Sequence, residues 1–319
     1  MYWSEKKYSK LLSCSLALGS LAVLAACSSS GSQSSSAASG TSPSGSSSSG
    51  TTSSTSSPGE DAALASEVPA KYKAGFTVAM QSSQPPEAYL VGGQPEGISP
   101  ALVRAISTLI GVPIKIDSTT FENELLGLSA GRYGFVTDTN ITTAREKIYD
   151  QVAYYTVEYR FITPTSSPAL GDSFSDLCGK TVGDQVGDVS VPVLQQFSQT
   201  DCVAKGQKPI TITQLPSTSS AQLAMQSGRL DAVARPLDAA EYETTQAGGS
   251  GISVDGPRFL EGLVGASFPK GSGLTPVIVS ALAELVKNGT YQKIMTQYKS
   301  DSTVWVTNFK ENPTPLPGS

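Results

Sequence analysis

The chain has 319 residues, 39% of them hydrophobic, with 22 Lys and Arg against 27 Asp and Glu, four cysteines and no histidine. Without histidine there is no Ser-His-Asp or Cys-His catalysis, no imidazole zinc site and no histidine general base. The formal charge of −5, with no basic patch or stripe, argues against nucleic acid as a partner, because phosphates need cations to neutralise them.

Lys6, Lys7 and Lys10 precede an apolar run from Leu11 to Ala26, closed by Leu24-Ala25-Ala26-Cys27. Residues 1–26 resemble a bacterial lipoprotein signal peptide ending in a lipobox. That resemblance implies cleavage before Cys27, a lipid on Cys27, and a mature protein anchored outside the cytoplasm to the cell membrane. A plain signal peptide or a short membrane helix is the alternative, although a span needs about 20 apolar residues. Loss of the signal removes three lysines and Glu5, taking the charge from −5 to −7. Residues 27–60 are almost wholly Ser, Gly, Thr and Ala, with no apolar surface to offset the entropy of folding. They are expected to form a flexible tether reaching on the order of 30 Å.

From Asp61 onward the length suits one large domain or two lobes. Hydrophobic periodicity and caps predict a strand at Phe76–Met80, a helix at Pro100–Ile110, a strand at Ile114–Ile116 and a helix at Asn123–Ser129. The stretch from Gly131 to Tyr155 then runs from a strand into a capped helix. Thr143 and Glu146 stand in capping-box relation, so the helix is expected to begin at Thr142 or Thr143, with Arg145 in its first turn. A cation there opposes the helix dipole by about 0.3–1 kcal/mol unless an anion sits nearby, so Arg145 is a candidate for holding a carboxylate. It could equally pair with Glu146 or another surface acid.

The alternation continues with a strand at Thr181–Val182, a helix at Val191–Phe197 with Ser190 as its cap, and a strand at Ile210–Ile212. A helix at Ser219–Gln226, a strand at Asp231–Ala234 and helices at Pro276–Lys287 and Thr290–Tyr298 follow, and Pro313, Pro315 and Pro317 end regular structure. Such alternation predicts parallel sheets flanked by helices, with ligands at the carboxyl ends of strands. Cys14 leaves with the signal and Cys27 is committed to lipid, so Cys178 and Cys202 should be joined in an oxidising exterior. Closing that loop of about 24 residues would contribute roughly 3 kcal/mol. Metal binding by two lone thiols is the weaker reading.

From Phe76 to Tyr298 the chain resembles an extracellular solute-binding protein of the polar amino acid type, family 3, the receptor of an ABC importer. The resemblance lies in ordered pieces: Gln84-Pro85-Pro86, Glu96-Gly97-Ile98, Leu125–Arg132, Asn140–Arg145 followed by Tyr154-Tyr155, Asp176–Val182, Leu223–Val233, Phe268–Gly271 and Asn288–Tyr291. It implies an α/β, two-lobe type II periplasmic binding protein fold. Two hinge crossings would lie near Glu158–Arg160 and Glu261–Gly265, with residues 61–159 plus 264–319 as lobe 1 and 160–263 as lobe 2. The disulfide would then stiffen lobe 2 without blocking hinge closure. The implied partners are a small amino acid or amine-like ligand and a membrane permease, with no cofactor, metal or catalytic residue and a monomeric chain.

In the family's pattern the arginine of T-x-x-R takes the ligand carboxylate; Arg145 occupies it, with Thr142 leading and Asn140 just before. Several positions depart from the pattern. Gly187-Asp188 replaces a Gly-Thr that donates to the same carboxylate, and an ionised aspartate cannot donate. The aspartate expected to take the ligand ammonium aligns with Pro236, leaving Arg235 before it and Asp238 two beyond. Asp138 stands where a small residue is usual, and Tyr89 and Phe121 remain as aromatic walls. Each departure has a bland account: Asp188 caps a helix, Asp138 turns outward or pairs with Arg132, Asp238 reaches the old position. If Asp138, Asp188 and Asp238 all approach the cleft, against Arg145 and Arg235, the field favours a ligand with excess positive charge. Two other functions fit the resemblance: a dehydratase-like enzyme on this fold, using carboxylates as acid and base, and a sensor or envelope interaction protein that no longer transports.

Overall fold

The computed structural model describes residues 59–246 and 251–315; the signal, Cys14, Cys27, the tether as far as Pro58, and Pro317 lie outside them. The first elements are α1 (Ala62–Glu67), β1 (Phe76–Gln81), a small antiparallel meander of β2 (Ser83–Gln84), β3 (Ala88–Val91) and β4 (Gln94–Glu96), α2 (Ile98–Leu109), β5 (Ile114–Thr119), α3 (Phe121–Ser129), β6 (Phe135–Asn140) and α4 (Thr143–Glu146). A 16-residue strand, β7 (Tyr149–Pro164), leads to β8 (Thr181–Gln185), α5 (Ser190–Phe197), β9 (Thr211–Leu215), α6 (Thr218–Gln226), β10 (Ala232–Pro236) and α7 (Leu237–Gln246). An 18-residue strand, β11 (Ile252–Pro269), returns to α8 (Leu274–Lys287) and α9 (Thr290–Gln297).

One eight-stranded sheet has the order β5-β1-β6-β11-β7-β10-β8-β9. Its outer thirds are parallel as expected, β5-β1-β6 on one side and β10-β8-β9 on the other. The centre is not: β11 and β7 are antiparallel to each other and to β6 and β10, so two parallel halves are stitched into one mixed sheet. The β7–β11 register slips between Asp255 and Phe259, between Phe259 and Gly262, and between Val264 and Gly265. Such irregularities bend and twist a ribbon where two halves must turn relative to each other. At Gly265 a Cβ would lie 1.8 Å from the Val152 carbonyl oxygen, so only glycine permits this close crossing.

Each half is packed by helices with one apolar stripe. On α2, Ile98, Leu102, Val103, Ile106 and Leu109 recur at helical spacing and join Val277, Ile278, Ala281, Leu282 and Leu285 of α8 in the main core. Each such aliphatic side chain contributes about 1.5–3 kcal/mol on burial. In the other half Ala221, Ala224 and Met225 of α6 pack on Val233 of β10 and Ile162 of β7. Cys178 and Cys202 are joined, as expected, across a sequence separation of 24. Among the described residues no helix is long and apolar enough to cross a membrane.

Two expected caps are corrected. The residue capping α4 is Thr142, whose hydroxyl accepts from the Arg145 N–H at 3.1 Å, and α4 is a single turn of four residues. So short a helix has little macrodipole, and Arg145 is placed by its side-chain contacts instead. Ser190 does not cap α5; it is the first helical residue, and its hydroxyl turns to Asp184 and Asp188.

Candidate functional site

The carboxyl ends of parallel strands from both halves converge on one cavity: Gln81 from β1, Asn140 from β6, Gln185 from β8 and Pro236 from β10 all line it. Tyr155, Val157 and Tyr159 of β7 and Val264 of β11 form its floor. Its volume is about 20 Å³, room for about one water, so an amino acid can enter only if the halves separate. They are clasped by the protein's own groups. The Gln81 and Gln185 amides bond reciprocally at 3.0 and 2.7 Å, and the Thr218 hydroxyl donates to the Ser83 carbonyl at 3.1 Å.

Arg145 makes the third such link. Its guanidinium donates to the Asn140 carbonyl at 3.1 Å and to the Gly187 carbonyl at 3.2 Å, and it lies 5.2 Å from the centre of the Phe121 ring. Burial pulls its pKa down while the nearby Asp188 carboxylate supports its charge. Both hydrogen bonds go to neutral carbonyls, so a ligand carboxylate offering charged acceptors to the same fork would be preferred.

Four carboxyl side chains line the cavity, those of Glu87, Glu124, Asp138 and Asp188, and no lysine or arginine does among the described residues. Asp138 is held in a left-handed backbone conformation, φ 57°, and is neither turned outward nor paired with Arg132, which lies over Tyr133. Its carboxylate accepts from the hydroxyls of Ser99 (2.6 Å), Thr137 (2.9 Å), Tyr154 (3.1 Å) and Tyr155 (3.3 Å). Burial raises its pKa and these donors oppose the rise.

Asp188 fills both roles left open by the sequence. One oxygen accepts from the Ser190 N–H at 2.9 Å and holds the start of α5, while the carboxylate lines the cavity and accepts from Tyr159 at 3.0 Å. The Ser190 hydroxyl faces Asp184 at 2.6 Å and Asp188 at 2.7 Å. The hydroxyl is placed to donate to either carboxyl, and burial, then repulsion from Asp188, pushes the Asp184 pKa well up while the Ser190 bond opposes it.

Of the residues expected at the site, Asn140, Asp138, Asp188 and Phe121 line the cavity, and Arg145, Thr142 and Gly187 frame it. Tyr89 and Arg235 stand apart, and Asp238 does not line the cavity but neighbours the Glu87 carboxyl that does. Tyr89 packs its ring 5.8 Å from Tyr242. Arg235, fully buried, pairs with Glu243. Pro236 lines the cavity, and Asp238 opens on a separate surface groove beside Glu241 and Arg258.

Glu87 and Glu124 were not anticipated. The signal for Glu124 lay in α3, where Phe121, Glu124 and Leu128 share one buried face, so an acid occupies an apolar register position. Glu87, directly after Pro85-Pro86, carried no comparable signal.

The model of bacterial extracellular solute-binding proteins, family 3, matches residues 76–301. The arginine-binding protein ArgT of Corynebacterium glutamicum is 28% identical over 211 residues, spanning 65% of this chain and 67% of that protein. An ancestral arginine-binding protein bound to arginine aligns with a TM-score of 0.64 at 26% identity, over 70% of this chain and 98% of its own. The structure of an ancestral arginine-binding protein bound to glutamine has the same TM-score, 0.64, at 25% identity, over 71% and 98%.

Proposed function

The chain belongs to the bacterial extracellular solute-binding proteins, family 3, with their type II periplasmic binding protein fold, and on that premise we propose that it is the membrane-anchored receptor of an ABC importer, binding an amino acid with excess positive charge. The observation that carries this reading is the cavity wall: four carboxyl groups, with the Arg145 guanidinium at the edge. One cation can hold one carboxylate, and the remaining field repels a second while attracting ammonium or guanidinium groups. The likeness to arginine-binding proteins points the same way.

The lobes in this reading are residues 61–159 plus 264–319 and residues 160–263. Strand pairing supports the division: β10 pairs with β7 over Tyr159–Ile162, and β6 pairs with β11 over Val264–Ser267. Binding is closure of these lobes around the ligand, which takes the space now spanned by the Gln81–Gln185 amide pair and the Arg145–Gly187 bond. In a thermal-shift panel arginine and lysine should raise the melting temperature, glutamine should raise it less, and aspartate and glutamate should leave it unchanged. A ligand at 100 times its dissociation constant adds about 2.7 kcal/mol of stability, which such a panel resolves. A shift with glutamate equal to that with arginine would refute the charge preference.

The anchor in this reading is the lipid on Cys27, motivated by Leu24-Ala25-Ala26-Cys27. Cys27→Ala should release the protein to the medium or leave the signal uncleaved. Membrane fractionation indistinguishable from the parent would remove Cys27 as the anchor.

A further inference from the structure

We propose that Glu87 and Glu124 are two separate cation-binding poles of the cavity, Glu124 taking the α-ammonium of the ligand beside Arg145 and Glu87 taking the cationic end of its side chain. This assignment rests on the reading of the cavity as an amino acid site. Of the four lining acids, Asp138 and Asp188 already accept from hydroxyl and N–H donors of the protein. Glu87 and Glu124 are 1% and 0% exposed and line the same cavity; neither Glu124 oxygen accepts a hydrogen bond, and the Glu87 carboxyl meets the carboxyl of Asp238 with no cation beside it. A buried acceptor left without a donor is unfavourable, and a ligand bringing two cationic donors relieves both.

The orientation follows from covalent chemistry. In an α-amino acid the ammonium and carboxylate hang from one carbon, so the acid that shares its surroundings with Arg145 must take the ammonium. Glu124 is that acid: it feels the Arg145 charge as well as that of Asp138. Glu87 instead neighbours the carboxyl of Asp238, with Asp138 also acting on it, so a cation arriving there replaces the proton that two hydrogen-bonded carboxyls share. Glu87 is thus placed to decide whether the side chain carries a charge, and Glu124 to decide whether the ligand is an amino acid at all.

The test uses L-arginine and L-citrulline, which share the α-ammonium and carboxylate and differ in whether the side chain ends in a guanidinium or a neutral ureido group. Calorimetry on the mature protein should show arginine tighter by about tenfold or more. In Glu87→Gln that ratio should collapse toward one. In Glu124→Gln both ligands should weaken together and the ratio should persist. A ratio unchanged by Glu87→Gln, or abolished by Glu124→Gln instead, overturns the assignment while leaving the amino acid receptor intact. Failure of the parent protein to bind either ligand would count against the receptor reading itself. Because a variant could misfold, the parent protein offers a second readout. In two buffers of different ionisation enthalpy, arginine should release more protons than citrulline, since a guanidinium beside Glu87 favours its ionised form against the burial and the Asp238 charge that raise its pKa. Equal proton release by the two ligands overturns the proposal without any substitution.

Discussion

Arg145→Ala is expected to weaken binding of a cationic amino acid by about 2–5 kcal/mol, roughly 30-fold to several thousand-fold in dissociation constant. The magnitude follows from what stays behind. With the guanidinium gone, the ligand carboxylate enters a cavity whose ionisable walls are Glu87, Glu124, Asp138 and Asp188. The fold should survive, because the α4 cap is the Thr142 hydroxyl on the backbone N–H of residue 145, and the guanidinium bonds only to the Asn140 and Gly187 carbonyls. Arg145→Lys should recover part of the loss, since an ammonium restores charge but not the two-pronged fork that spans both carbonyls. An affinity for arginine that Arg145→Ala leaves unchanged in calorimetry, with an unchanged melting temperature, would show that the carboxylate is held elsewhere.

Affinity for the same ligand should rise steeply with pH. Burial, then the charge of Asp238, pushes the Glu87 pKa well above the ordinary carboxylate range; burial, then the charge of Asp138, does the same to Glu124, with Arg145 opposing. Asp138 also acts on Glu87. A cation arriving beside these groups favours their ionised forms, so binding releases protons wherever the raised pKa values leave the free groups protonated. The dissociation constant should fall by up to about tenfold per pH unit for each proton released, levelling off once pH exceeds the raised pKa values of the free protein. Stability of the free protein runs the other way. A carboxyl whose folded pKa is raised contributes stability that is present below its unfolded pKa and lost as pH rises through the folded one. Melting temperatures of the free protein should thus decline with rising pH over that window, and arginine should rescue them most at the high end. Affinity flat from about pH 5 to about pH 9, with no dependence on buffer ionisation enthalpy, would mean the two glutamates do not change protonation on binding.

Much of the scaffold was legible because it obeys local rules. Leu102, Val103, Ile106 and Leu109 repeat at helical spacing in α2, and the run before Asn288-Gly289 ends α8 where a helix must end. The hairpin of β3 and β4 was legible in principle: Val91 pairs with Gln94 across Gly92-Gly93, both at positive φ, the two-residue turn that fits the twist of the strands. It went unread because its strands are only four and three residues long. The central strands were illegible for a different reason. β7 and β11 run 16 and 18 residues, beyond the usual length of a strand; both carry charged residues and β11 adds three glycines, so their partner, not their own periodicity, makes them strands.

At the site, Arg145 and Asp188 could be read because their motifs are local. Glu87 and Asp238 are far apart in sequence and become neighbours only when α7 folds back toward the loop after β2. Asp138 is not a third free charge: four hydroxyls occupy it, three of them from side chains 16 to 39 residues away in sequence. Of the three aspartates that an acidic cleft would need, Asp138 and Asp188 line the cavity and Asp238 does not, while Glu87 and Glu124 do.

Calorimetric titration of the mature protein with L-arginine and with L-glutamate at neutral pH tests the central claim most directly. Four carboxyl groups around a single guanidinium predict saturable binding of arginine and no measurable heat of binding for glutamate. Tight binding of glutamate, with arginine weaker or silent, would contradict the account, because a second ligand carboxylate would then have found a cation that the cavity wall does not hold.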